Sequence, residues 1–205
     1  MAGDRATRSG DFAWRDRRTA SDVAGKSALI MGFGRIGQRV GALCRALGLR
    51  VAAFDPYMER SPVEGVEMVK DFRAILPETD FLCLHLPSTP ETRDLIGAGE
   101  LALLKRGAFV LNCARGGIVD EDVLCDALES GHLGGAGLDV FAKEPPDTAH
   151  RLFRQEKVLL SPHNAALTEE CAIRMATQAV QNVLDCLDGK LQPRVVMNRR
   201  EIGMA

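Results

Sequence analysis

Short apolar runs alternate along the chain with segments of helical periodicity. The runs cover residues 27–31, 51–54, 81–84, 108–111, 136–139 and 158–160, with a shorter apolar segment near Val66. Uninterrupted apolar runs of this length are typical of strands that are buried on both faces of a parallel sheet. Because helices separate the strands, the pattern predicts an α/β fold with a doubly wound parallel sheet.

The helical segments differ in how clearly they are marked. The clearest is the last, where apolar residues between 172 and 187 recur at i, i+3 and i+4, with Thr168 as the cap and Gly189 as the stop. A helix is also predicted from Asp120 to Ser130, another at 101–104 and a brief one at 72–76. After the first strand, helical spacing places one set of apolar residues on a single buried face: Ile36, Val40, Leu43, Cys44 and Leu47.

Three glycines between the first strand and this helix form a G-x-G-x-x-G pattern. Gly32 allows a sharp turn, Gly34 lets a pyrophosphate approach the backbone, and Gly37 lets the helix pack closely on the strand. Asp55 ends the second strand, eighteen residues after Gly37, where a carboxylate can accept hydrogen bonds from a ribose. The pattern therefore predicts a dinucleotide site. The alternative is a structural turn between strand and helix that binds no ligand.

Composition narrows the class of protein. The chain has 205 residues and a formal net charge of −2, which gives no electrostatic footprint for nucleic acid. No apolar run is long enough to span a membrane, and the amino terminus lacks the apolar stretch of a signal peptide. The six cysteines form no C-x-x-C pair, which indicates reduced thiols rather than a metal site. We therefore expect a cytoplasmic protein that binds neither membrane nor nucleic acid.

Several polar residues follow predicted strands, where ligands of open α/β sheets bind. Arg115 has a guanidinium that can hold a carboxylate through paired donors, although an arginine taken alone is more often a surface or ion-pair residue. His163 follows the strand through Leu160, and a lone loop histidine is usually inert. If Glu144 lies beside it, the carboxylate favours a protonated ring, which suits a general acid. Spacing alone leaves that pairing open.

Five motifs now occur in order along the chain. They are Gly-Phe-Gly-Arg-Ile-Gly at 32–37, His-Leu-Pro at 85–87, Asn-Cys-Ala-Arg-Gly-Gly-Ile-Val-Asp at 112–120, Gly-Leu-Asp-Val-Phe at 137–141 with Glu-Pro-Pro at 144–146, and Ser-Pro-His at 161–163. Together they closely resemble the nucleotide-binding domain of the D-isomer-specific 2-hydroxyacid dehydrogenases, a family that includes phosphoglycerate, glycerate/hydroxypyruvate, lactate and formate dehydrogenases. The resemblance covers nearly the whole chain, from about Gly10 to Asn198. It implies a Rossmann-type fold, NAD as the cofactor, a small 2-oxo or 2-hydroxy acid as the substrate, and a homodimer.

The resemblance also implies roles for individual residues. Arg115 would orient the 2-oxo acid, His163 would give a proton to its carbonyl oxygen as hydride arrives from NADH, and Glu144 would support the imidazolium. Asp55 would bind the adenine ribose and favour NAD, because it would repel a 2′-phosphate. The remaining cofactor contacts implied by position are Arg35 and Ile36 at the pyrophosphate, Leu86 and Thr92 after the fourth strand, Cys113 to Arg115 including Ala114, Asp139 near the nicotinamide, and His163 to Ala166.

The chain departs from the family pattern in two places. Ala166 stands where many members have glycine. More importantly, family members begin with a substrate-binding domain of about 100 residues, and the sequence here starts where the nucleotide domain does. We expect residues 1–189 to form the NAD-binding domain, with 1–24 as an N-terminal arm, and 190–205 to be a tail that returns to the substrate domain.

Two functions of different classes are therefore weighed. The first is an NAD-dependent 2-hydroxyacid dehydrogenase, for which the intact Arg115, Glu144 and His163 argue. The second is a protein without catalytic activity: either a corepressor-like NAD-binding or interaction module, or an inactive truncated enzyme. The absence of a substrate domain from the sequence argues for this second function. The NAD-binding domain of another dehydrogenase class is a distant third, because it would not share the segments that hold these three residues.

Overall fold

The structure is a computed structural model that describes residues 2–17, 20–199 and 201–203. It divides into two compact units, Met1–His163 and Asn164–Ala205, and each is described by itself. The first unit holds the sheet and every predicted site residue except Ala166. The second holds the last helix and the tail, of which residues 200, 204 and 205 lie outside the described part.

Seven parallel strands form one sheet in the first unit, in the order β3-β2-β1-β4-β5-β6-β7. Their bounds are β1 Ser27–Met31, β2 Arg50–Phe54, β3 Val66–Met68, β4 Phe81–Leu84, β5 Phe109–Asn112, β6 Gly135–Leu138 and β7 Val158–Leu160. The chain starts in the middle of the sheet, builds to one edge and then returns to build to the other. The doubly wound parallel sheet is confirmed, and the reversal of direction lies between β1 and β4.

The central strands β1 and β4 are mostly apolar because side chains on both of their faces are buried. Leu29, Ile30 and Met31 of β1 are fully buried, and side chains on alternate positions belong to two separate hydrophobic clusters. The cluster that contains Leu29 extends across β4, β5 and β6, whereas the cluster that contains Ile30 lies around β1 and β2. This rigid core holds the carboxyl ends of the strands in register along one edge.

The helices of the structure are α1 Ala2–Arg8, α2 Trp14–Arg17, α3 Arg35–Ala46, α4 Ala98–Leu103, α5 Glu121–Glu129 and α6 Glu169–Leu187. The later helices lie close to where the sequence predicts, whereas α1 and α2 fall in the stretch that the sequence predicts only as an N-terminal arm. The predicted helix at 72–76 is wrong: Phe72 is followed by a turn and a short 3-10 helix, Leu76–Glu78. The Asp71 side chain accepts a hydrogen bond from the Arg73 amide, which stabilises the turn at this point.

The buried face of α3 also differs from the prediction. Gly37 and Gly41 are its buried residues, with Val40 and Cys44 partly buried beside them. The prediction is wrong for the other three residues, because their side chains are exposed: Ile36 at 66%, Leu43 at 65% and Leu47 at 60%. The reason is that two glycines allow the helix to approach the sheet on the side that carries the least side-chain volume.

The second unit contains α6, whose predicted cap and stop are confirmed. Thr168 accepts a hydrogen bond from the Cys171 amide, Glu169 and Glu170 occupy the first turn, and Gly189 follows the helix with φ +71°. None of the side chains of α6 is buried. Across the described residues, no helix is both long enough and apolar enough to cross a membrane.

Candidate nucleotide and catalytic site

The glycine turn after β1 is tight at two of its glycines and open at the third. Gly32 has φ +86°, and a Cβ added there would lie 2.5 Å from the His85 carbonyl oxygen. A Cβ on Gly37 would overlap the carbonyl oxygen of Gly32, so only glycine lets α3 start this close to β1. Gly34 has no atom within 4 Å of its Cβ position. The turn therefore has an open side at Gly34, where a phosphate can reach the backbone.

The amino end of α3 faces this opening. Gly34 is its N-cap and supplies no side-chain hydrogen bond, so the first amides of the helix are not capped by a side chain. Arg35 and Ile36 are the first two residues of the helix, and both are exposed. The positive end of the helix dipole and an adjacent arginine together favour an anion here.

Asp55 follows β2 and is bonded directly to the glycine turn. One of its carboxylate oxygens, Oδ2, accepts a hydrogen bond from the Phe33 amide at 2.9 Å, and Oδ1 accepts one from the Tyr57 amide at 2.9 Å. The sequence predicts a carboxylate at this end of β2 but gives no sign of the bond to Phe33. That bond holds the carboxylate beside the phosphate-binding turn, where a dinucleotide would place its ribose.

The loop after β4 is held by its own hydrogen bonds. The Thr92 hydroxyl donates to the Pro87 carbonyl at 2.7 Å and accepts from the Thr89 amide at 2.8 Å, while Leu86 packs in the core. Burial lowers the pKa of the His85 imidazole, which keeps that ring uncharged at neutral pH. His85 is therefore a poor proton donor on this side of the site.

The turn after β5 presents Arg115 on a rigid backbone. Asn112 is buried, its Oδ1 accepts from the Ala114 amide at 3.1 Å, and its Nδ2 donates to the Arg115 carbonyl at 2.9 Å. Arg115 itself is exposed, and its Nη1 donates to the Ala114 carbonyl at 2.6 Å. Arg115 makes no ion pair with any residue in the described parts of the chain. Asn112 is a positioning residue that sequence reasoning missed, although its place at the end of β5 is a signal.

Cys113 lies in the same turn and is exposed. Burial raises the pKa of its thiol, and the nearby Asp139 carboxylate raises it further. A thiol with a raised pKa stays protonated at neutral pH and is a weak nucleophile. The Cys113 thiol is therefore no candidate nucleophile, and its role as a cofactor contact stays a prediction.

Asp139 links the ends of three neighbouring strands. It is 3% exposed, its amide donates to the Asn112 carbonyl at 3.0 Å, and its Oδ1 accepts from the Ser161 hydroxyl at 2.5 Å. Its carbonyl also accepts a hydrogen bond from the His163 amide at 2.8 Å. Besides its predicted place near a nicotinamide, Asp139 therefore positions the backbone of His163, which has φ +50°.

Glu144 and His163 are in contact. His163 Nδ1 lies 2.8 Å from Glu144 Oε2, and Glu144 Oε1 accepts a hydrogen bond from the Phe141 amide at 3.1 Å. The hydrogen bond from His163, followed by that from Phe141, lowers the pKa of the Glu144 carboxyl. The carboxylate is thus ionised at neutral pH and accepts the Nδ1 proton, so Nε2 is the ring nitrogen that can face a substrate.

Two residues that sequence reasoning missed hold the loop of Glu144. Glu121, the first residue of α5, accepts a hydrogen bond from the Ala142 amide at 2.6 Å. A Cβ on Gly116 would overlap the Phe141 carbonyl oxygen, so the Arg115 turn and the Glu144 loop touch backbone to backbone. Packed main chain therefore connects the turn that carries Arg115 to the pair formed by Glu144 and His163. Glu121 carries no sequence signal, since helices often begin with acidic residues.

Ala166 is the one predicted cofactor residue outside the first unit. Its carbonyl accepts a hydrogen bond from the Thr168 amide at 3.1 Å, just before α6. It is described only within the second unit.

The first-unit residues fit a dinucleotide. The open Gly34, the uncapped end of α3 and the Asp55 carboxylate lie at the end of β1 and β2, whereas Arg115, Asp139 and His163 follow the adjacent strands β5, β6 and β7. β1 and β4 flank the point where the sheet reverses direction, and dinucleotides bind across that point. A dinucleotide bound across this point would lie with one end beside β1 and β2 and the other beside β5, β6 and β7.

Comparison with known families agrees with this geometry. Residues 1–165 match the family model described as "D-isomer specific 2-hydroxyacid dehydrogenase, NAD binding domain". The chain belongs to this family, and its sheet is the family's NAD-binding domain.

The curated relatives that the chain matches are dehydrogenases, and the chain spans about a third of their length. It is 39% identical over 184 residues to the D-3-phosphoglycerate dehydrogenase of Methanocaldococcus jannaschii, a match that covers 89% of this chain and 35% of that protein. It is 42% identical over 184 residues to the D-3-phosphoglycerate dehydrogenase of Mycobacterium leprae, covering 89% of this chain and 34% of that protein.

Solved structures share the fold. A D-isomer specific 2-hydroxyacid dehydrogenase of Lactobacillus delbrueckii ssp. bulgaricus, in an NAD-complexed form, superposes with a TM-score of 0.82 at 29% identity over 95% of this chain and 62% of that one. The D-lactate dehydrogenase of Aquifex aeolicus, complexed with NAD and lactic acid, superposes with a TM-score of 0.83 at 27% identity over 91% of this chain and 61% of that one.

Proposed function

We propose that the chain is the nucleotide-binding part of an NAD-dependent oxidoreductase that acts on the CH–OH group of D-2-hydroxy acids. The observation that carries the proposal is the contact between His163 Nδ1 and Glu144 Oε2 at 2.8 Å, at the same edge of the sheet as Arg115. A general acid benefits from a carboxylate beside its imidazole, so this pair favours an enzyme over a structural NAD-binding module. The overall reaction would convert a 2-oxo acid, NADH and a proton to a 2-hydroxy acid and NAD.

On the adenosine side, this chain's residues bind the cofactor. The Asp55 carboxylate accepts hydrogen bonds from the ribose hydroxyls, and the first amides of α3, with Arg35 beside them, bind the pyrophosphate. The bound cofactor supplies a hydride to the carbonyl carbon of the substrate. Asp139 and the turn of Cys113 and Ala114 contact the nicotinamide end.

On the reacting side, Arg115 binds the substrate carboxylate and orients the neighbouring carbonyl. Its guanidinium is exposed and is held at Nη1 by the Ala114 carbonyl, which leaves further donors for a carboxylate. Its lack of an ion pair among the described residues argues against a purely structural arginine.

His163 is the proton donor. With Nδ1 directed at the ionised Glu144, the ring carries its transferable proton on Nε2 and delivers it to the carbonyl oxygen. Glu144 stabilises the charged ring and fixes its rotation. Asp139 and Ser161 hold the loop that carries the ring, since the Asp139 carbonyl accepts the His163 amide and its carboxylate accepts the Ser161 hydroxyl.

The alternative function is a non-catalytic NAD-binding or interaction module, or an inactive truncated enzyme. It is kept because the chain spans only 35% of the length of the first of these relatives, so that the activity of the whole enzyme is not carried over by the match. In the same proposal, residues 1–189 form the NAD-binding domain and 190–205 return to a substrate domain. The D-3-phosphoglycerate dehydrogenases among the relatives make phosphorylated 2-oxo acids the first substrates to test.

The test is NADH consumption with glyoxylate, hydroxypyruvate, pyruvate and 3-phosphohydroxypyruvate. The chain alone should bind NADH and turn over very slowly, because one exposed arginine holds a small carboxylate by only about 0–1 kcal/mol and positioning is lost. Adding a family-type substrate domain at the amino end should restore turnover. Robust turnover by the bare chain would mean that the contribution of the substrate domain is misjudged.

The acid role has its own variants. In the domain-complete protein, His163→Ala should lower turnover by about 10²–10⁴-fold while NADH affinity stays within about twofold. His150→Ala is the matched control, because His150 pairs with Asp122 on α5 and belongs to no part of the site. Retention of more than about a tenth of the turnover by His163→Ala would remove the proton-donor role. Silence of the domain-complete protein with NADH still bound would favour the non-catalytic module.

The proposal also includes a homodimer in the cytoplasm. Exposed apolar side chains on one face of α3, at Leu43 and Leu47, support self-association. All six cysteines are free thiols, as is usual in reducing compartments. Light scattering on wild type and on Leu43→Glu tests the dimer: the wild type should have twice the chain mass and the variant the chain mass.

A further inference from the structure

The loop that carries Glu144 begins with two successive backbone amides, each of which donates to a carboxylate. The Phe141 amide donates to Glu144 Oε1 at 3.1 Å, so Glu144 folds back on the turn that carries it. The Ala142 amide donates to Glu121 Oε1 at 2.6 Å, and this second carboxylate comes from another element, α5. Ala142 and Glu144 are both exposed. Hydrogen bonds, and not burial, therefore hold the loop between Phe141 and Glu144.

The base of this loop is fixed at Phe141. Its side chain is 7% exposed, and its ring stacks on Phe153 with the ring centroids 5.6 Å apart. A Cβ on Gly116 would overlap the Phe141 carbonyl oxygen, so main chain packs on main chain at this residue. One fixed residue does not set the direction of the chain that follows it. The contact of Ala142 with Glu121 supplies the second point that is needed.

Glu121 is itself held by the segment that presents Arg115. This segment continues through Val119, which forms a parallel bridge to the residue before α4. It ends at Asp120, whose carboxylate caps α5 by accepting two amides of the first turn of the helix. Glu121 is the next residue along the chain and is partly buried. Its side chain therefore reaches from the rigid segment of Arg115 to the loop of the acid-base pair.

We propose that Glu121 is a positioning residue: by binding the Ala142 amide, it sets the direction of the Glu144 loop. The loop in turn sets where the His163 ring lies relative to the Arg115 guanidinium. This rests on the proposed function, in which the guanidinium binds the substrate carboxylate and the ring gives the proton. Glu121 touches neither substrate nor cofactor, and it acts through its length and its acceptor oxygen rather than through its charge.

The effect of removing Glu121 should appear in catalysis more than in stability. Because Ala142 is exposed, water can bind its amide when the carboxylate is lost, so the Tm of Glu121→Ala should stay within about 3 °C of wild type. Reacting groups tolerate little misplacement, since an error of about 1 Å can cost about 10²-fold in rate. We expect Glu121→Ala to lower kcat about fivefold to twentyfold, with KM and NADH affinity within about twofold.

Two conservative variants separate reach from charge, with kcat measured in the domain-complete protein. Glu121→Gln keeps the length and an acceptor oxygen but loses the charge, and it should keep at least about a third of the wild-type kcat. Glu121→Asp keeps the charge and the acidic first turn of α5 but is one methylene shorter, so its kcat should fall as in Glu121→Ala. Glu129→Ala is the matched control, because it removes a glutamate from the last turn of the same helix, where Glu129 accepts a hydrogen bond from Gln155.

The pKa of Glu144 gives a readout that needs no turnover. It is lowered by the hydrogen bond from His163, followed by that from Phe141, whereas burial and the Asp139 carboxylate raise it. If Glu121 positions the loop, both hydrogen bonds loosen in Glu121→Ala and Glu121→Asp. A carbon-detected NMR titration of the 205-residue chain should then show the pKa of Glu144 rising towards its ordinary value in these two variants. Loss of a neighbouring negative charge would by itself lower this pKa, in Glu121→Ala and Glu121→Gln alike.

The results separate the positioning role from the function on which it rests. A domain-complete wild type without turnover would refute the proposed function, and the NMR titration would then decide about Glu121 alone. In a protein that turns over, wild-type kcat in Glu121→Asp would overturn the positioning role, and so would a loss in Glu121→Gln as large as in Glu121→Ala. An unchanged or lowered pKa of Glu144 in Glu121→Asp would overturn it as well. If Glu121→Ala does not fold, Glu121→Asp and Glu121→Gln decide, because both keep a polar side chain at the start of α5.

Discussion

Alanine substitutions at two glycines of the same turn should have different effects: Gly37→Ala should lower the stability of the fold, and Gly34→Ala should weaken cofactor binding. The Cβ of Gly37→Ala would overlap the carbonyl oxygen of Gly32, which is backbone and has no rotamer to change. To remove the overlap, α3 must move away from β1. Overpacking typically costs about 1–3 kcal/mol, and we expect the upper end, about 3 kcal/mol, because two regular elements must separate. For a domain of this size that corresponds to a fall in Tm of roughly 6–12 °C.

Gly34→Ala is the contrasting change. Its Cβ position has no atom within 4 Å, and its φ of −72° and ψ of −162° suit any residue. Its effect on the free energy of unfolding should stay below about 1 kcal/mol, since alanine is a poorer N-cap than glycine but reduces the entropy of the unfolded chain. The methyl group would nevertheless stand where a phosphate approaches the backbone. NADH affinity should therefore fall by at least about tenfold.

The assays are guanidinium unfolding followed by circular dichroism and a fluorescence titration of NADH, each on both variants. Gly37→Ala should lose stability in the first assay, and Gly34→Ala should lose affinity in the second while unfolding like wild type. The reasoning is refuted if Gly34→Ala binds NADH as wild type does. It is equally refuted if the two variants are destabilised to the same extent.

Two further predictions concern charged groups. Asp80 accepts hydrogen bonds from the Ser27 amide and from Lys105 Nζ, at 3.0 and 2.8 Å, and although burial raises its pKa, these bonds outweigh burial and lower it. A carboxyl whose pKa is lowered by folding stabilises the fold at pH values above its pKa in the unfolded chain, and this stabilisation is lost as the pH falls through its pKa in the folded chain. Asp80→Asn should therefore lower the free energy of unfolding by about 1–3 kcal/mol at pH 7, measured by guanidinium unfolding, and the difference from wild type should shrink below about pH 4. An equal cost at pH 7 and pH 3 would contradict this. The pKa of Glu144 is lowered from 4.5, first of all by the hydrogen bond from His163. In His163→Ala, a carbon-detected NMR titration should therefore show the pKa of Glu144 rising towards 4.5. An unchanged pKa would mean that the pair does not form in solution.

The sequence predicts the sheet well because a buried parallel strand leaves a local pattern. Six of the seven strands lie at the predicted strand positions, β3 lies at the shorter apolar segment near Val66, and Asp120 and Thr168 cap their helices. The prediction of the buried face of α3 was wrong because helical periodicity is judged from the positions of apolar side chains. It cannot register that Gly37 and Gly41, with almost no side chain, permit the closest approach to the sheet.

The sequence indicates the candidate residues of the site but not the hydrogen bonds between them. Glu144 and His163 are nineteen positions apart, and their contact depends on how the loop after β6 folds back. The bonds from Asp55 to Phe33 and from Glu121 to Ala142 join positions that are twenty-two and twenty-one apart. Such long-range bonds leave no local signature, which is why Glu121 escaped prediction as a positioning residue. Asn112 is different, because its bonds to Ala114 and Arg115 are local and its place at the end of β5 is a signal.

The most direct test of the account is a crystal structure of the chain with NADH. The account predicts that the ribose hydroxyls of the adenosine lie within hydrogen-bond distance of the Asp55 carboxylate and that the pyrophosphate lies against the amides of Arg35 and Ile36. The nicotinamide should lie next to Asp139, on the side of the edge where His163 and Arg115 project. NADH bound elsewhere, or bound with its nicotinamide directed away from His163, would contradict the assignment of this edge of the sheet as the reacting site.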